Sequence, residues 1–233
     1  MDVAAPVRPE KEYGRIFEEN RSMYYLMIPL FIDFTGRRIV IFGGGDVAAR
    51  KAAYFSGTAQ VMVVSRSFVP EFDNLNITRR DIDLVTATGR NLADVLTGAF
   101  LVIAATSDSV VNDRIGRLCK ATGILFNNAD GESGDVILPA IARGENYTIA
   151  VSTGGNSPAV SRYLREKIEE TFPALDDMIA LQGRIREVLK AQEPDQKKRS
   201  EILKKVLHDP SIWAALEAKR PDVWEDIRDR YLT

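Results

Sequence analysis

The sequence predicts an α/β chain, with a doubly wound parallel sheet first, then a small α+β segment and a C-terminal helical module. Three observations predict it. The apolar run Arg38–Phe42 breaks on Gly43-Gly44-Gly45 and resumes as a helical pattern from Asp46. Short apolar runs and helical stretches then alternate over Arg37–Phe126, the order that builds parallel βαβ units. Beyond Phe126 the alternation stops, two short strand-like runs lie close together, and the remainder reads as amphipathic helices. The expected boundaries are 1–139 for the sheet domain, 140–173 for the α+β segment and 174–233 for the helices.

Each element has a local reason. Met1–Asn20 carries Pro6, Pro9 and mixed charges, and its first part reads as loose. Tyr24–Ile32 reads as an edge strand, where Pro29 is tolerable. Phe34-Thr35-Gly36-Arg37 turns the chain into the first central strand. Val47–Phe55 is the helix after the glycines, ended by Gly57, and Gln60–Val64 is the next strand. Asp83–Thr88 reads as a third strand and Asn91–Leu96 as a short helix. Ala99–Ala104 is continuously apolar, as a strand covered on both faces should be. Asp108 or Ser109 caps a helix over Val110–Ala121, and Gly123–Phe126 is a further strand.

After it, Val136-Ile137-Leu138-Pro139 and Tyr147–Val151 suit an antiparallel pair, with only Ala140–Asn146 between them. Ser157 is a fitting N-cap and Pro158 a fitting first helical residue. Val160, Leu164 and Ile168 then recur on one face until Thr171-Phe172-Pro173. Leu175–Gln192 is amphipathic and is broken by Glu193-Pro194-Asp195. A second helix follows around Ile202–Leu207, and one or two more follow Asp209-Pro210.

Composition narrows the function classes. The chain has 233 residues, 45% apolar and 27% charged, with a net charge of −2. That charge argues against general nucleic-acid affinity, so an anionic ligand needs a local basic cluster. The one cysteine, Cys119, lies on a predicted helix as core filling, and excludes an intramolecular disulfide or a cysteine-based zinc site. Met1–Asn20 has no apolar signal region, and Met23–Phe34 falls short of the roughly 20 residues of a membrane span. The expectation is a soluble, cytoplasmic protein.

The spacing Gly43-x-Gly45-x-x-Ala48, between a strand and a helix, is the dinucleotide-binding pattern of Rossmann-type sheets. Gly43 allows the tight turn, Gly45 the approach of a pyrophosphate, and Ala48 close packing of helix on sheet. Gly44, Asp46 and Val47 complete the phosphate-facing helix start. At the end of the second strand, Ser65-Arg66 stand where an acid often binds the ribose. Arg66 is there to attract a 2′-phosphate, which leans toward NADP, or is simply a solvated charge. Ala105-Thr106 are small residues at the sheet edge and leave room for a flat ligand.

Asn128-Ala129-Asp130 follow a sheet strand directly. Asp130 is placed to accept a proton or approach a metal, or else is a turn residue bonding its own backbone. Ser152–Pro158 is a glycine-rich loop entering a helix N-terminus, a natural anion site. Thr153, Gly154, Gly155, Asn156 and Ser157 form it, and Arg143, Arg162 and Arg165 lie near in sequence. The plainer reading is a capped helix whose arginines face water. His208 is the one histidine, at a helix end, where it meets the last carbonyls. One histidine supports neither a zinc or copper site nor a catalytic triad, and no metal site is expected.

Taken together, these motifs resemble the siroheme synthase N-terminal module, also found as the stand-alone precorrin-2 dehydrogenase. The residues that carry the resemblance are Pro29-Leu30-Phe31, Val40–Ala48 with Arg50-Lys51, and Ala104-Ala105-Thr106 with Asn112. They continue with Asn128-Ala129-Asp130, Val151–Pro158 and Arg162-Tyr163-Leu164-Arg165. The resemblance covers roughly Met27–Pro173 and is weak over the helical tail. It implies NAD-dependent oxidation of precorrin-2 to sirohydrochlorin, which overrides the lean toward NADP. In several members it also implies insertion of ferrous iron as a substrate. It further implies a homodimer that exchanges the segment around Ala140–Pro173, and no nucleic-acid or membrane partner. The family's key aspartate maps onto Asp130 and its loop hydroxyl onto Thr153. Arg143, Arg162, Arg165 and the Ser157 helix end would hold tetrapyrrole carboxylates, beside Asn128. No methyltransferase domain follows, so the expectation is the unfused form. The competing readings are a dehydrogenase without chelatase activity and a non-enzymatic NAD-sensing subunit.

Overall fold

Residues 27–129 and 134–232 are described by the structure, a computed structural model. They fall into two compact units that divide between Leu138 and Pro139.

The first unit is built on five strands, β1 (Arg38–Phe42), β2 (Gln60–Ser65), β3 (Thr78–Asp81), β4 (Leu101–Ala104) and β5 (Leu125–Asn128). Their order across the sheet is β3-β2-β1-β4-β5 and every pairing is parallel. Helices α1 (Asp46–Phe55), α2 (Gly89–Leu96) and α3 (Ser109–Thr122) make the crossovers. The alternation of side chains along β1 divides the core in two. Ile39 and Ile41 pack with Val61, Val63, Leu101 and Ile103 under Ala48, Ala52 and Phe55 of α1. Val40 and Phe42 pack with Val64, Val102 and Ala104 under Leu92 and Val95 of α2 and Val111 and Ile115 of α3. Both faces are therefore covered, which is why the strands read as unbroken apolar runs. Phe42 is in register with Val64 on one side and with Ala104 on the other, so three strands end together at the glycine turn. The chain leaves β3 and crosses to the far side of β1 for β4, which opens a crevice at the carboxyl ends.

Three expectations need correction. The third strand is Thr78–Asp81, and residues 83–88 form a turn into α2. Every residue of β3 is exposed, so the edge strand lacks the apolar pattern that marks a strand in sequence, and its two arginines guard the edge. The described part of the expected first edge strand, Met27–Ile32, is irregular and pairs with nothing in the sheet. The stretch 136–139 is irregular too. Val136 and Leu138 are apolar because they pack against the α1 face of the core, and Val136 is tied to β5 by its N–H to Phe126 O (3.1 Å) without forming a strand.

The second unit holds an antiparallel pair, β6 (Ala140–Arg143) and β7 (Thr148–Val151), followed by α4 (Pro158–Thr171). Asp176 fixes the turn of the pair, accepting from the N–H groups of Glu145 (3.0 Å) and Asn146 (2.7 Å). Helices α5 (Leu175–Gln192), α6 (Gln196–Leu207), α7 (Pro210–Glu217) and α8 (Val223–Tyr231) then share one core. Met178, Leu181, Ile185 and Leu189 form the buried stripe of α5 against Val206, Ile212 and Ile227. Among the described residues no helix is long and apolar enough to cross a membrane.

Candidate functional site

The carboxyl ends of the strands in the first unit surround an open cleft of about 940 Å³. Gly44, Gly45, Asp46 and Val47 form its floor, Ser65–Pro70 and Ile82–Val85 one end, and Ala105–Asp108 with Ala129 the other.

The three glycines do different work. Gly43 has φ +120°, and a Cβ there would stand 2.3 Å from the carbonyl oxygen of Ala105. Its N–H donates to Val64 O (3.0 Å), which binds the turn to β2. Gly44 has no room for a side chain, since a Cβ would meet Ser67 O at 1.7 Å. Its carbonyl accepts from Val69 N–H (2.9 Å) and ties the turn to the loop after β2. At Gly45 a Cβ would meet nothing within 4 Å among the described residues. That open space lies at the N-terminus of α1, which has no side-chain cap. Free helix-start N–H groups behind an open glycine suit a pyrophosphate, so these residues fit a dinucleotide.

At the β2 end, Arg66 Nη1 lies 3.1 Å from Asp83 Oδ2. The other oxygen of Asp83 accepts from Val85 N–H (2.9 Å). That backbone bond, with Arg66 adding to it, holds the Asp83 carboxyl below its usual range. At the β4 end, Asn112 of α3 is buried to 1% exposure. Its Oδ1 accepts from the Thr106 hydroxyl (2.7 Å) and N–H (3.3 Å), and its Nδ2 donates to Thr106 O (3.1 Å). Asp108 caps α3 through Val110 and Val111 N–H. The small-residue edge Ala105–Asp108 is thus held rigidly by one buried amide.

The cleft brings together Gly44, Gly45, Asp46, Val47, Ser65, Arg66, Ala105 and Thr106, with Gly43 setting the turn beneath. Asn128 ends β5, next to Ala129, whose N–H donates to Ala104 O (2.8 Å). Asp130 lies outside the described residues.

The other expected site residues belong to the second unit. Arg143 ends β6. Thr153 organises the loop: its hydroxyl donates to Ser157 O (2.9 Å), accepts from Ser157 N–H (3.1 Å) and lies 3.1 Å from Ser161 Oγ. Gly154 and Gly155 have φ of +61° and +81°, and Asn156 Nδ2 donates to Thr153 O (3.0 Å). Ser157 caps α4 through Val160 N–H (3.3 Å). Arg162 pairs with Glu166 (3.0 Å), and Arg165 pairs with Glu166 and Glu169 (2.8 Å each). The Arg162 hydrogen bond holds the Glu166 carboxyl below its usual range. His208 Nδ1 sits 2.7 Å from Lys204 O at the end of α6, as its position predicted.

Sequence reasoning missed Asp83, Asn112 as a positioning group, and the Phe68-Val69-Pro70 lip. Asn112 left a signal, a polar residue beside Val111 on the buried side of α3. Asp83 left none, because its place depends on where β3 ends.

Comparison with known proteins agrees with this geometry. Residues 30–140 match a family model described as putative NAD(P)-binding, and residues 148–171 match one described as sirohaem biosynthesis protein central. A precorrin-2 dehydrogenase of Methanosarcina barkeri is 41% identical over 191 residues, covering 80% of this chain and 85% of that one. A siroheme synthase of Ectopseudomonas mendocina is 37% identical over 175 residues, which are 74% of this chain and 37% of that longer one. Among solved structures, one titled SirC, precorrin-2 dehydrogenase superposes with a TM-score of 0.65, over 87% of this chain and all of that one. At 20% identity, that likeness shows the shared fold.

Proposed function

The chain belongs to the precorrin-2 dehydrogenase family, and we propose that it oxidises precorrin-2 to sirohydrochlorin in siroheme biosynthesis, with NAD as the oxidant. The observation that carries the reading is the cleft at the switch point, whose glycine floor and helix start suit a pyrophosphate. When bound, NAD supplies the acceptor for a hydride. The chain supplies the rest. The start of α1 would hold the phosphates, and the Ala105–Asp108 edge, secured by Asn112 through Thr106, would lie against a flat ring. The proton that accompanies the hydride goes to a base, and Asp130 is the residue proposed for it. Arg143, Arg162, Arg165 and the Thr153–Ser157 loop are proposed to hold the substrate's carboxylates. Arg162 and Arg165 would then share their charge with Glu166 and Glu169. A cytoplasmic homodimer is proposed as the working state, and light scattering on the eluting protein tests its mass.

The siroheme synthases align over the same part of the chain, and this favours a second step, insertion of ferrous iron into sirohydrochlorin. Insertion requires loss of pyrrole protons, for which the same carboxylate is suited. The test is anaerobic. Precorrin-2 with NAD should yield sirohydrochlorin, and added ferrous ion should then yield siroheme without further NAD. An Asp130→Ala protein should lose both activities. Full retention of either one removes the shared carboxylate, and failure of the wild-type protein to consume precorrin-2 removes the function.

A further inference from the structure

In the order of residues alone, the β2 end offers Arg66 and no acid, an arrangement that invites a 2′-phosphate. The fold changes that. Because β3 ends at Asp81, the next residues turn across the cleft, and Ile82 N–H donates to Ser65 O (3.4 Å). Asp83 is thereby delivered to the same end of the cleft as Arg66, from the neighbouring strand and not from β2 itself.

We infer that Asp83 is the residue that sets the preference for NAD over NADP. This rests on reading the cleft as the dinucleotide site. Asp83 acts in two ways. It neutralises Arg66 through the 3.1 Å pair, so the arginine offers no unpaired charge to a phosphate. It also places its own carboxylate along the wall where the adenosine end of a dinucleotide lies. A ribose with free hydroxyls can donate to that carboxylate, whereas a 2′-phosphate must compete with it for Arg66 and meets its charge directly. The carboxylate does not swing away freely, because Val85 N–H holds its other oxygen.

The test is a fluorescence titration with NADH and with NADPH on the full chain. Asp83→Asn keeps an oxygen for Val85 N–H and removes the charge, so the turn stays. Wild-type protein should bind NADH more tightly than NADPH. Asp83→Asn should raise NADPH affinity about tenfold, the scale of one partly exposed charge pair, and weaken NADH slightly. Adding Arg66→Ala to it should abolish the NADPH gain. Arg66→Ala alone, at a side chain 67% exposed, should leave NADPH affinity nearly unchanged, since Arg66 is already neutralised. An Asp83→Asn protein with an unaltered NADPH-to-NADH ratio overturns the inference, as does a tenfold loss of NADPH affinity in Arg66→Ala alone. Wild-type protein that binds neither nucleotide overturns the site itself, a separate result.

Discussion

Replacing Gly44 and Gly45 by alanine, one at a time, should produce opposite failures. At Gly44 the new Cβ would stand 1.7 Å from Ser67 O and 2.7 Å from Ser65 Oγ. The first of these is backbone, so no side-chain rotation relieves it. The loop after β2 must move, and the Val69 N–H to Gly44 O bond (2.9 Å) goes with it. Overpacking of this kind costs about 1–3 kcal/mol, which lowers Tm by about 2–12 °C in a chain of this size. At Gly45 the Cβ meets no atom of the described residues within 4 Å. Gly45 is extended, with φ −92°, so alanine fits the backbone there. As an N-cap substitution the change costs about 0.5–1 kcal/mol, because alanine ranks well below glycine there, and Tm should fall by no more than about 4 °C. The methyl group instead occupies space assigned to the pyrophosphate, and NADH affinity should fall at least tenfold, roughly 1.4 kcal/mol. Differential scanning fluorimetry reads the first effect and NADH fluorescence the second. Gly45→Ala with wild-type NADH affinity would refute the placement of the phosphates. Gly44→Ala with wild-type Tm would refute the packing of the turn against the Ser65–Val69 loop.

Two further expectations follow from the first unit. Asn112→Ala leaves the Thr106 hydroxyl and N–H without their shared acceptor, so stability should drop by about 1–3 kcal/mol and NADH binding should weaken as the 105–108 edge loosens. A protein that lost neither stability in urea nor NADH affinity would show that the amide is dispensable. At Cys119, burial, with the Asp135 carboxylate adding to it, pushes the thiol up to about 12. The folded state therefore keeps its proton at a pH where the unfolded chain loses it. The contribution is intact below about pH 8.5 and declines as pH rises from there toward 12. Folded protein at pH 8 should resist a thiol reagent and react fully in guanidinium, and Cys119→Ala should flatten the alkaline decline.

What was legible in the sequence was local. β1, β2 and β4 announce themselves because a strand covered on both faces has no polar position to interrupt it. The caps at Asp108 and Ser157 are equally local, each one side chain accepting from the first turn of its own helix. The misplaced strands were errors of attribution. Leu84 and Val85 look like strand residues, yet Leu84 is apolar because it packs under the sheet from a turn. Thr78-Arg79-Arg80-Asp81 looks like a loop, yet it pairs fully with β2 because an edge needs only one neighbour and no buried face. The glycine pattern located half of the candidate site. The other half required knowing which residues lie opposite one another once the strands are laid in order.

The cleft is braced by the protein before any ligand arrives. The β1 turn is bonded to β2 at Val64, its second glycine to the following loop at Val69, and β4 continues the bracing as Ala105 N–H donates to Phe42 O (2.8 Å). Asn112 secures the far edge from within the core. Each of these bonds joins parts of the protein, so none has to form at the expense of binding affinity. A floor built in this way can position a cofactor ring but has little freedom to follow it. The groups proposed to meet the tetrapyrrole are of another kind. Arg162 and Arg165 sit in exposed or half-exposed ion pairs on a single helix, and such pairs are weak and rearrange easily. The division of labour follows from the chemistry: a hydride acceptor must be held to a fraction of an ångström, whereas a substrate bearing many carboxylates tolerates, and gains from, arginines that can exchange one anionic partner for another.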